Sequence, residues 1–328
     1  VACKQPFLSG LTLILYTKYI IIVYFIHIVY ILFMKKSMQE YLDVLNPEQK
    51  AAVIHENNPL LILAGAGSGK TRVITTKIAY LINQKNVNPS SILSVTFTKK
   101  AANEMRERAI AIEPESSFAQ IRTFHSFGSW FLRQYSDTIG VEPNFTVYDD
   151  DDMAVLIRKA VPSLSLKEAN IAAKQIALAK DYCLFPEDDL SCIHSDFDLN
   201  EIYSAYQKRL AATGNVDFGD LIMLPVKVLQ ENPNVARYIH NRFKVIMVDE
   251  YQDSNIAQYR LLQEISGVKE KNDSYVCVVG DDDQSIYRFR GATVENILDF
   301  DKTYEDATVI RLEQNYRSTG NILAAANS

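Results

Sequence analysis

The octapeptide Ala64-Gly65-Ala66-Gly67-Ser68-Gly69-Lys70-Thr71 constrains the fold more than any other stretch of this 328-residue chain. The apolar run Leu60 to Leu63 leads into it, and an amphipathic stretch from Thr71 to Leu81 follows. Strand, glycine loop and helix in that order build a cradle in which backbone N–H groups and a helix N-terminus close around phosphate oxygens. Lys70 is placed for the β/γ-phosphates, and the Thr71 hydroxyl for a Mg2+ ion. Ala64 stands where the usual spacing has its first glycine, which leaves the cradle intact. A glycine-rich turn ending by chance in Gly-Lys-Thr is the bland alternative, and the flanking strand and helix patterns argue against it. The segment predicts binding of a nucleoside triphosphate.

A second segment extends this expectation from binding to hydrolysis. Lys244 to Val248 is an apolar strand-type run, and Asp249-Glu250 follows directly. In open α/β sheets ligands gather outside the carboxyl ends of strands. Asp249 suits a contact to Mg2+, and Glu250 is placed to orient or deprotonate an attacking water. The alternative is an acidic loop that merely caps a buried strand.

Composition narrows the class. Hydrophobic residues make up 48% and charged residues 23%, as in a folded protein. The net charge of −6 gives no bulk basic field, so any polyanion must be met by a local groove. The four cysteines, Cys3, Cys183, Cys192 and Cys277, lack zinc-type pairing, and a reduced, cytoplasmic setting is the simplest expectation. Residues 1–37 do not match the rest. From Tyr19 to Phe33 the only ionisable side chain apart from tyrosine is His27, and Met34 or Met38 offers a start just before the globular part. We read this leader as upstream non-coding sequence read through, with a membrane anchor as the alternative. The helical run at Ile322–Ala326 breaks off at Ser328, so the chain reads as an N-terminal piece of a longer protein.

Strand-like runs recur at 60–64, 92–97, 120–123, 244–249, 275–280 and 308–312, with helical patterns at 71–84 and 99–112. This alternation predicts an α/β fold with a mostly parallel sheet. Between about 126 and 216 the rhythm changes to helices at roughly 150–160, 167–180 and 198–212 with no convincing strand. The run Asp149 to Asp152 ahead of Arg158-Lys159 fits a helix with acids at its start and bases at its end.

Further segments form an ordered set: Leu45-Asn46-Pro47-Glu48-Gln49, Ser94-Val95-Thr96-Phe97-Thr98-Lys99, Thr123-Phe124-His125-Ser126, Gly280-Asp281-Asp282-Asp283-Gln284-Ser285-Ile286-Tyr287-Arg288-Phe289-Arg290 and Leu312-Glu313-Gln314-Asn315-Tyr316-Arg317. In this order and spacing the set resembles the UvrD/Rep/PcrA group of superfamily 1 DNA helicases, over about residues 41–328. The resemblance implies a RecA-like P-loop NTPase domain carrying an all-α insertion. It divides the chain into a first motor domain over 38–125 and 217–310, an insertion over 126–216, and the start of a truncated second motor domain over 311–328.

By that resemblance Gln49 reads adenine while Arg72 and Tyr316 sandwich the base, Gln284 senses the γ-phosphate, and Arg317 approaches it as an arginine finger. Tyr287 and Phe289, interleaved with Arg288 and Arg290, suit stacking on bases and pairing with phosphate. Trp is commoner in the family at the position of Phe289. Phe97, His125 and Phe218 match positions close to single-stranded DNA, although Gly219 replaces a usual Asp beside Phe218. For Phe97, Phe124 and Phe218, core packing is an equal expectation. The resulting expectation is an ATP- and Mg2+-dependent DNA helicase or translocase that moves 3′ to 5′. Its partners would be single-stranded DNA, duplex junctions and repair or replication proteins, not a membrane. A helicase subunit of a helicase–nuclease complex, a translocase that strips proteins from single strands, and an ATP-gated DNA-binding module are the rivals. The piece in hand is expected to hydrolyse ATP poorly by itself.

Overall fold

The computed structural model describes residues 36–270, 272, 274–281 and 299–318. The leader up to residue 35, the segment holding Gln284, Tyr287, Phe289 and Arg290, and the run Ile322–Ala326 lie outside the described residues. Two compact units divide the chain, Val1–Val44 and Leu45–Ser328. The described part of the first is the helix Met38–Asp43, opened by Ser37 and Glu40 in a reciprocal capping box. Among the described residues no helix is long and apolar enough to cross a membrane.

The second unit is built on a six-stranded sheet. Its strands are β1 (Leu60–Ala64), β2 (Ile92–Thr96), β3 (Gln120–Thr123), β6 (Val245–Val248), β7 (Tyr275–Gly280) and β8 (Thr308–Leu312). They lie in the order β3-β2-β6-β7-β1-β8, and every pairing is parallel. Strands β1 and β2 are buried throughout, as a sheet covered on both faces requires. Helices Lys70–Lys85, Lys99–Ile112, Phe124–Gln134 and Ile256–Ser266 follow β1, β2, β3 and β6. A parallel sheet turns all its carboxyl ends to one edge. Ala64, Phe97, His125, Asp249 and Asp281 therefore emerge along a single rim.

The six apolar runs fold as expected, and the fold class is the mixed α/β, RecA-like one that the sequence predicts. The helix at Asp150–Ala160 is also as expected: Asp149 caps it, and Asp152 returns the bond in a capping box. Three details differ. Residues Val147–Tyr148 and Val216–Asp217 form a short parallel pair, β4 and β5, where no strand was anticipated. Helix Phe124–Gln134 crosses position 126 and puts Phe127 and Phe131 into the sheet's own core. Strand β8 runs through position 311 and pairs with β1 along its whole length, so residues 308–312 belong to the first sheet.

A second hydrophobic cluster, distinct from the sheet's, joins helices Asp150–Ala160, Leu166–Asp181 and Leu199–Ala212 through Ile157, Ile176, Tyr203 and Tyr206. At the end of the middle helix, Lys180 is 1% exposed, and its Nζ lies 2.5 Å from Asp217 and 2.7 Å from Asp220. Tyr206 donates to the same Asp217 oxygen at 2.8 Å. Breaking a buried ion group from one side is costly because the partners stay behind uncompensated. Lys180→Met should therefore lower stability by about 3–5 kcal/mol in urea denaturation; an unchanged midpoint would show that Asp217 and Asp220 are neutralised by another route.

Candidate functional site: a phosphate cradle opening onto an aromatic cleft

The glycine loop joins β1 to the helix Lys70–Lys85. Gly67 and Gly69 adopt φ of +74° and +92°, a region that suits glycine, and the Ser68 N–H between them donates to the Gly65 carbonyl at 3.2 Å. The loop is held from two directions. Gln49, 1% exposed, donates from Nε2 to the Ser68 carbonyl at 2.7 Å, while its Oε1 accepts from the Asn46 N–H at 3.2 Å. Asn46 caps the helix Pro47–Ile54 and reaches the Tyr316 hydroxyl at 3.0 Å. From the other side Asn315 Nδ2 donates to the Ala66 carbonyl at 2.6 Å, and the Tyr316 N–H donates to the Gly67 carbonyl at 2.9 Å.

Arg72, Tyr316 and Arg317 are all exposed. Arg317 stands against the loop, since a Cβ added at Gly67 would lie 2.6 Å from the Arg317 Cβ. The helix that carries Gln49 is anchored by Lys77, a fully buried ammonium that donates to the carbonyls of Ala52 at 2.9 Å and Val53 at 3.3 Å, and also to that of His55. Lys77 thus ties the helix Pro47–Ile54 to the one that follows the glycine loop.

Lys70 brings the two halves of the site together. Its Nζ lies 3.2 Å from Glu250 Oε2 and 3.6 Å from Asp281 Oδ2. The three residues leave three strands, β1, β6 and β7, at the common rim. Glu250 sits at φ +53°, a sparsely populated conformation for a side-chain-bearing residue and one that clusters at functional sites. Gln252 spans the cluster: its Nε2 donates to Glu250 Oε2 at 2.8 Å, and its Oε1 accepts from the Asp281 N–H at 3.0 Å. Sequence reasoning gave neither Gln252 nor Asn315 a role. Gln252 lies two residues after Glu250 and Asn315 directly before Tyr316, and that closeness in sequence was the available signal.

Asp249 is buried and accepts from the Glu250 N–H at 3.0 Å. Burial, and then the Glu250 charge, push its carboxyl up to about 7, with Lys70 pulling the other way. The same two influences raise Asp253 to about 6. Among the described residues no cluster of three or more His, Cys, Asp or Glu side chains forms a metal cage. A cation here would take its ligands from one carboxylate, a hydroxyl and the phosphates, which is how magnesium sits in nucleotide sites. The residues fit that ion: Asp249 is a buried carboxyl pushed up by burial and by the Glu250 charge, and the unpartnered Ser68 Oγ in the cradle points to a polar ligand such as a phosphate beside it.

A cleft of about 860 Å³ starts at Glu250, Gln252 and Asp253 and is lined further along by Phe97, His125 and Phe218. Phe97 is half-buried and meets the core ring of Phe124 edge-on, with centroids 5.9 Å apart. Phe124 is itself 2% exposed and serves packing. Phe218 is 56% exposed, and its ring lies 4.6 Å from that of His125. Burial pulls His125 down to about 4, so this ring is neutral at physiological pH. Gly219 lies on the stem of Lys180, where a Cβ would come within 2.6 Å of the lysine Cβ and Cδ. The absence of a Cβ there leaves room for the lysine stem.

The sequence profile of the UvrD/REP helicase N-terminal domain matches residues 45–305. The ATP-dependent DNA helicase UvrD1 of Mycobacterium tuberculosis is 46% identical over 304 residues, covering 88% of this chain and 39% of that protein. The ATP-dependent DNA helicase PcrA of Bacillus subtilis is 44% identical over 300 residues, again 88% of this chain and 39% of the relative. The corresponding PcrA of Staphylococcus aureus is 44% identical over 303 residues, 88% of this chain and 40% of its own length. The chain thus spans about two fifths of the relatives it matches.

The raised carboxyl of Asp249 makes stability depend on pH. Its ordinary value is 3.8 and its folded value about 7, so between these the folded state keeps a proton that the unfolded chain has released. Stability from this group is complete below pH 4 and is lost as pH rises through 7. In Mg2+-free buffer, Asp249→Asn should melt above the unsubstituted protein at pH 8, with the gap closing as pH falls towards 4. Parallel melting curves across that range would contradict the assignment.

Proposed function

The chain belongs to the UvrD/REP helicase family, and on that premise we propose that the protein is an ATP-dependent DNA helicase or translocase acting on single-stranded DNA. The observation that carries the reading is the continuity of the site. Glu250, which pairs with Lys70 of the phosphate cradle, also lines the cleft that holds Phe97, His125 and Phe218. Phosphate chemistry and a base-stacking surface share one wall.

The proposed sequence of events follows from the charges. Triphosphate oxygens entering the cradle compete for Lys70 and release Glu250 from the ion pair. Glu250, steadied by Gln252, is then free to orient and deprotonate the attacking water. Thr71 and Asp249 would hold Mg2+, which when bound supplies positive charge against the β- and γ-phosphates. Ala64, Gly65, Ala66, Gly67, Ser68 and Gly69 line the phosphates. For the adenine we propose Arg72 and Tyr316 at the two faces and Gln49 at the edge. Gln49 spends one donor and its acceptor on the loop and the Asn46 cap, so its remaining N–H is the group left to meet the base. Gln284 and Arg317 are proposed for the γ-phosphate.

On the DNA side we propose stacking on Phe218, His125 and Phe97, continued by Tyr287, Phe289 and Arg290. The neutral His125 ring lets the surface grip bases of any sequence without adding charge. Movement 3′ to 5′, duplex unwinding, work in repair or replication with protein partners, and a cytoplasmic setting complete the proposal. The sheet through β8 is proposed as the first motor domain, now including helix Phe124–Gln134, with a helical insertion up to about 216. The second motor domain is proposed to start after Leu312. Membership of a helicase–nuclease complex is the second reading, since it would use the same cradle and cleft.

Three substitutions test the proposal. Lys70→Ala should abolish turnover. Glu250→Gln should retain ATP on filter binding while releasing no phosphate, and steady turnover in that variant would remove the carboxylate from the mechanism. Phe218→Ala should weaken binding of a fluorescent oligothymidylate by about 1–3 kcal/mol, whereas unchanged affinity would make the ring a packing residue.

A further inference from the structure

We propose that Lys180 and Asp181, adjacent at the end of helix Leu166–Asp181, are positioning residues that latch the DNA-side lip of the cleft to its nucleotide-side lip. The inference rests on the proposed helicase reading and adds the route by which its two ligands sense each other.

One arm runs to the DNA side. Lys180 reaches Asp217 and Asp220, and the two aspartates bond to each other's backbone: the Asp217 N–H donates to Asp220 at 3.2 Å, and the Asp220 N–H donates to Asp217 at 3.0 Å. This closed tetrapeptide leaves one side chain free to project, that of Phe218, 56% exposed and packed on His125. The absent Cβ of Gly219 lets the lysine stem pass directly beneath the loop. A buried ion group contributes little net stability compared with apolar packing, but it tolerates few geometries. Its effect here is to fix where the Phe218 ring stands relative to the helix end.

The other arm runs to the nucleotide side. Asp181 accepts from Asn255 Nδ2 at 2.6 Å. Asn255 caps helix Ile256–Ser266, with its Oδ1 accepting from the Gln258 N–H at 2.9 Å. The turn just before it carries Gln252, which holds Glu250 and the Asp281 backbone. Any shift of the acid segment when Glu250 leaves Lys70 is therefore transmitted to Asn255, to the end of helix Leu166–Asp181, and to the lip that presents Phe218. Lys180 and Asp181 are consecutive, so the linkage between the arms is one peptide unit with little slack. Coupling of this kind is reciprocal: nucleotide alters DNA affinity by the same factor as DNA alters nucleotide affinity.

The test measures that factor. The affinity of the full chain for a fluorescein-labelled oligothymidylate is determined with and without a non-hydrolysable ATP analogue and Mg2+. The unsubstituted protein should show a nucleotide-dependent change of about fivefold or more. Lys180→Met is expected to destabilise the fold, so Asp181→Ala and Lys180→Arg are used, with thermal melts as control. Asp181→Ala should bring the ratio close to one while leaving analogue affinity without DNA unchanged. Asp181→Asn, which still offers a carbonyl to Asn255, should restore most of it. Lys180→Arg, whose fork spans the two carboxylates differently, should alter DNA affinity and the ratio together. If the unsubstituted protein shows the coupling and both Asp181→Ala and Lys180→Arg keep it, the latch is wrong and the helicase reading stands. If the unsubstituted protein binds no oligothymidylate, that reading fails and the latch with it.

Discussion

The site depends on one buried cation held between two carboxylates. Lys70 arrives from the loop after β1, Glu250 from the end of β6 and Asp281 from the end of β7, and their charged atoms converge within 3.6 Å of the lysine nitrogen. A charge taken out of water at this depth needs compensation, and the two acids provide it. The arrangement also defines what can replace them. Under the proposed function, an incoming triphosphate would offer more negative charge than the carboxylates to the same ammonium, so that its binding and the release of Glu250 would be one event. The raised carboxyl of Asp249 belongs to the same cluster: burial, and then the charge of neighbouring Glu250, push it up to about 7 despite the pull of Lys70.

Strand order makes this convergence possible. The sequence β6-β7-β1 puts three carboxyl ends side by side although nearly two hundred residues separate Ala64 from Asp249. The neighbouring strands β2 and β3 bring Phe97 and His125 to the same rim, and the short β4–β5 pair brings Phe218 alongside. The helical cluster then closes the cleft from outside, with Lys180 and Asp181 at its edge. Glu250 and the rings of Phe97, His125 and Phe218 thus line one concavity, and the proposed coupling of nucleotide to strand rests on that shared cleft.

Much of this was legible in the residues. Strands β1, β2, β6 and β7 announce themselves as near-continuous apolar runs, because a strand buried on both faces has few polar positions to confuse its pattern, whereas the edge strands β3 and β8 carry Arg122 and Arg311 and alternate in burial. Lys70 and the Asp249-Glu250 pair were legible because glycine spacing and a strand-end acid pair have few other uses. The β4–β5 pair was not, since two residues carry no periodicity. The engagement of Gln49 with Ser68 was hidden for a different reason: an amide offers donors and an acceptor to whatever the fold brings near, and the fold brings the glycine loop. Lys180 gave no sign at all. A lysine in the last turn of a helix ordinarily faces solvent, and only the distant Asp217 and Asp220 draw this one inside. Helix Phe124–Gln134 and strand β8 continue through positions 126 and 311, where composition changes, and composition alone does not show such continuity.

The most direct measurement of the central claim is ATP hydrolysis by the protein extended to the length of its UvrD1 and PcrA relatives, with and without single-stranded DNA, in Mg2+ at neutral pH. A cradle and an aromatic cleft that share Glu250 predict turnover stimulated severalfold or more by the strand. Hydrolysis indifferent to DNA would mean that the rings at Phe97, His125 and Phe218 are packing alone, and the coupling of the two sites would have to be abandoned.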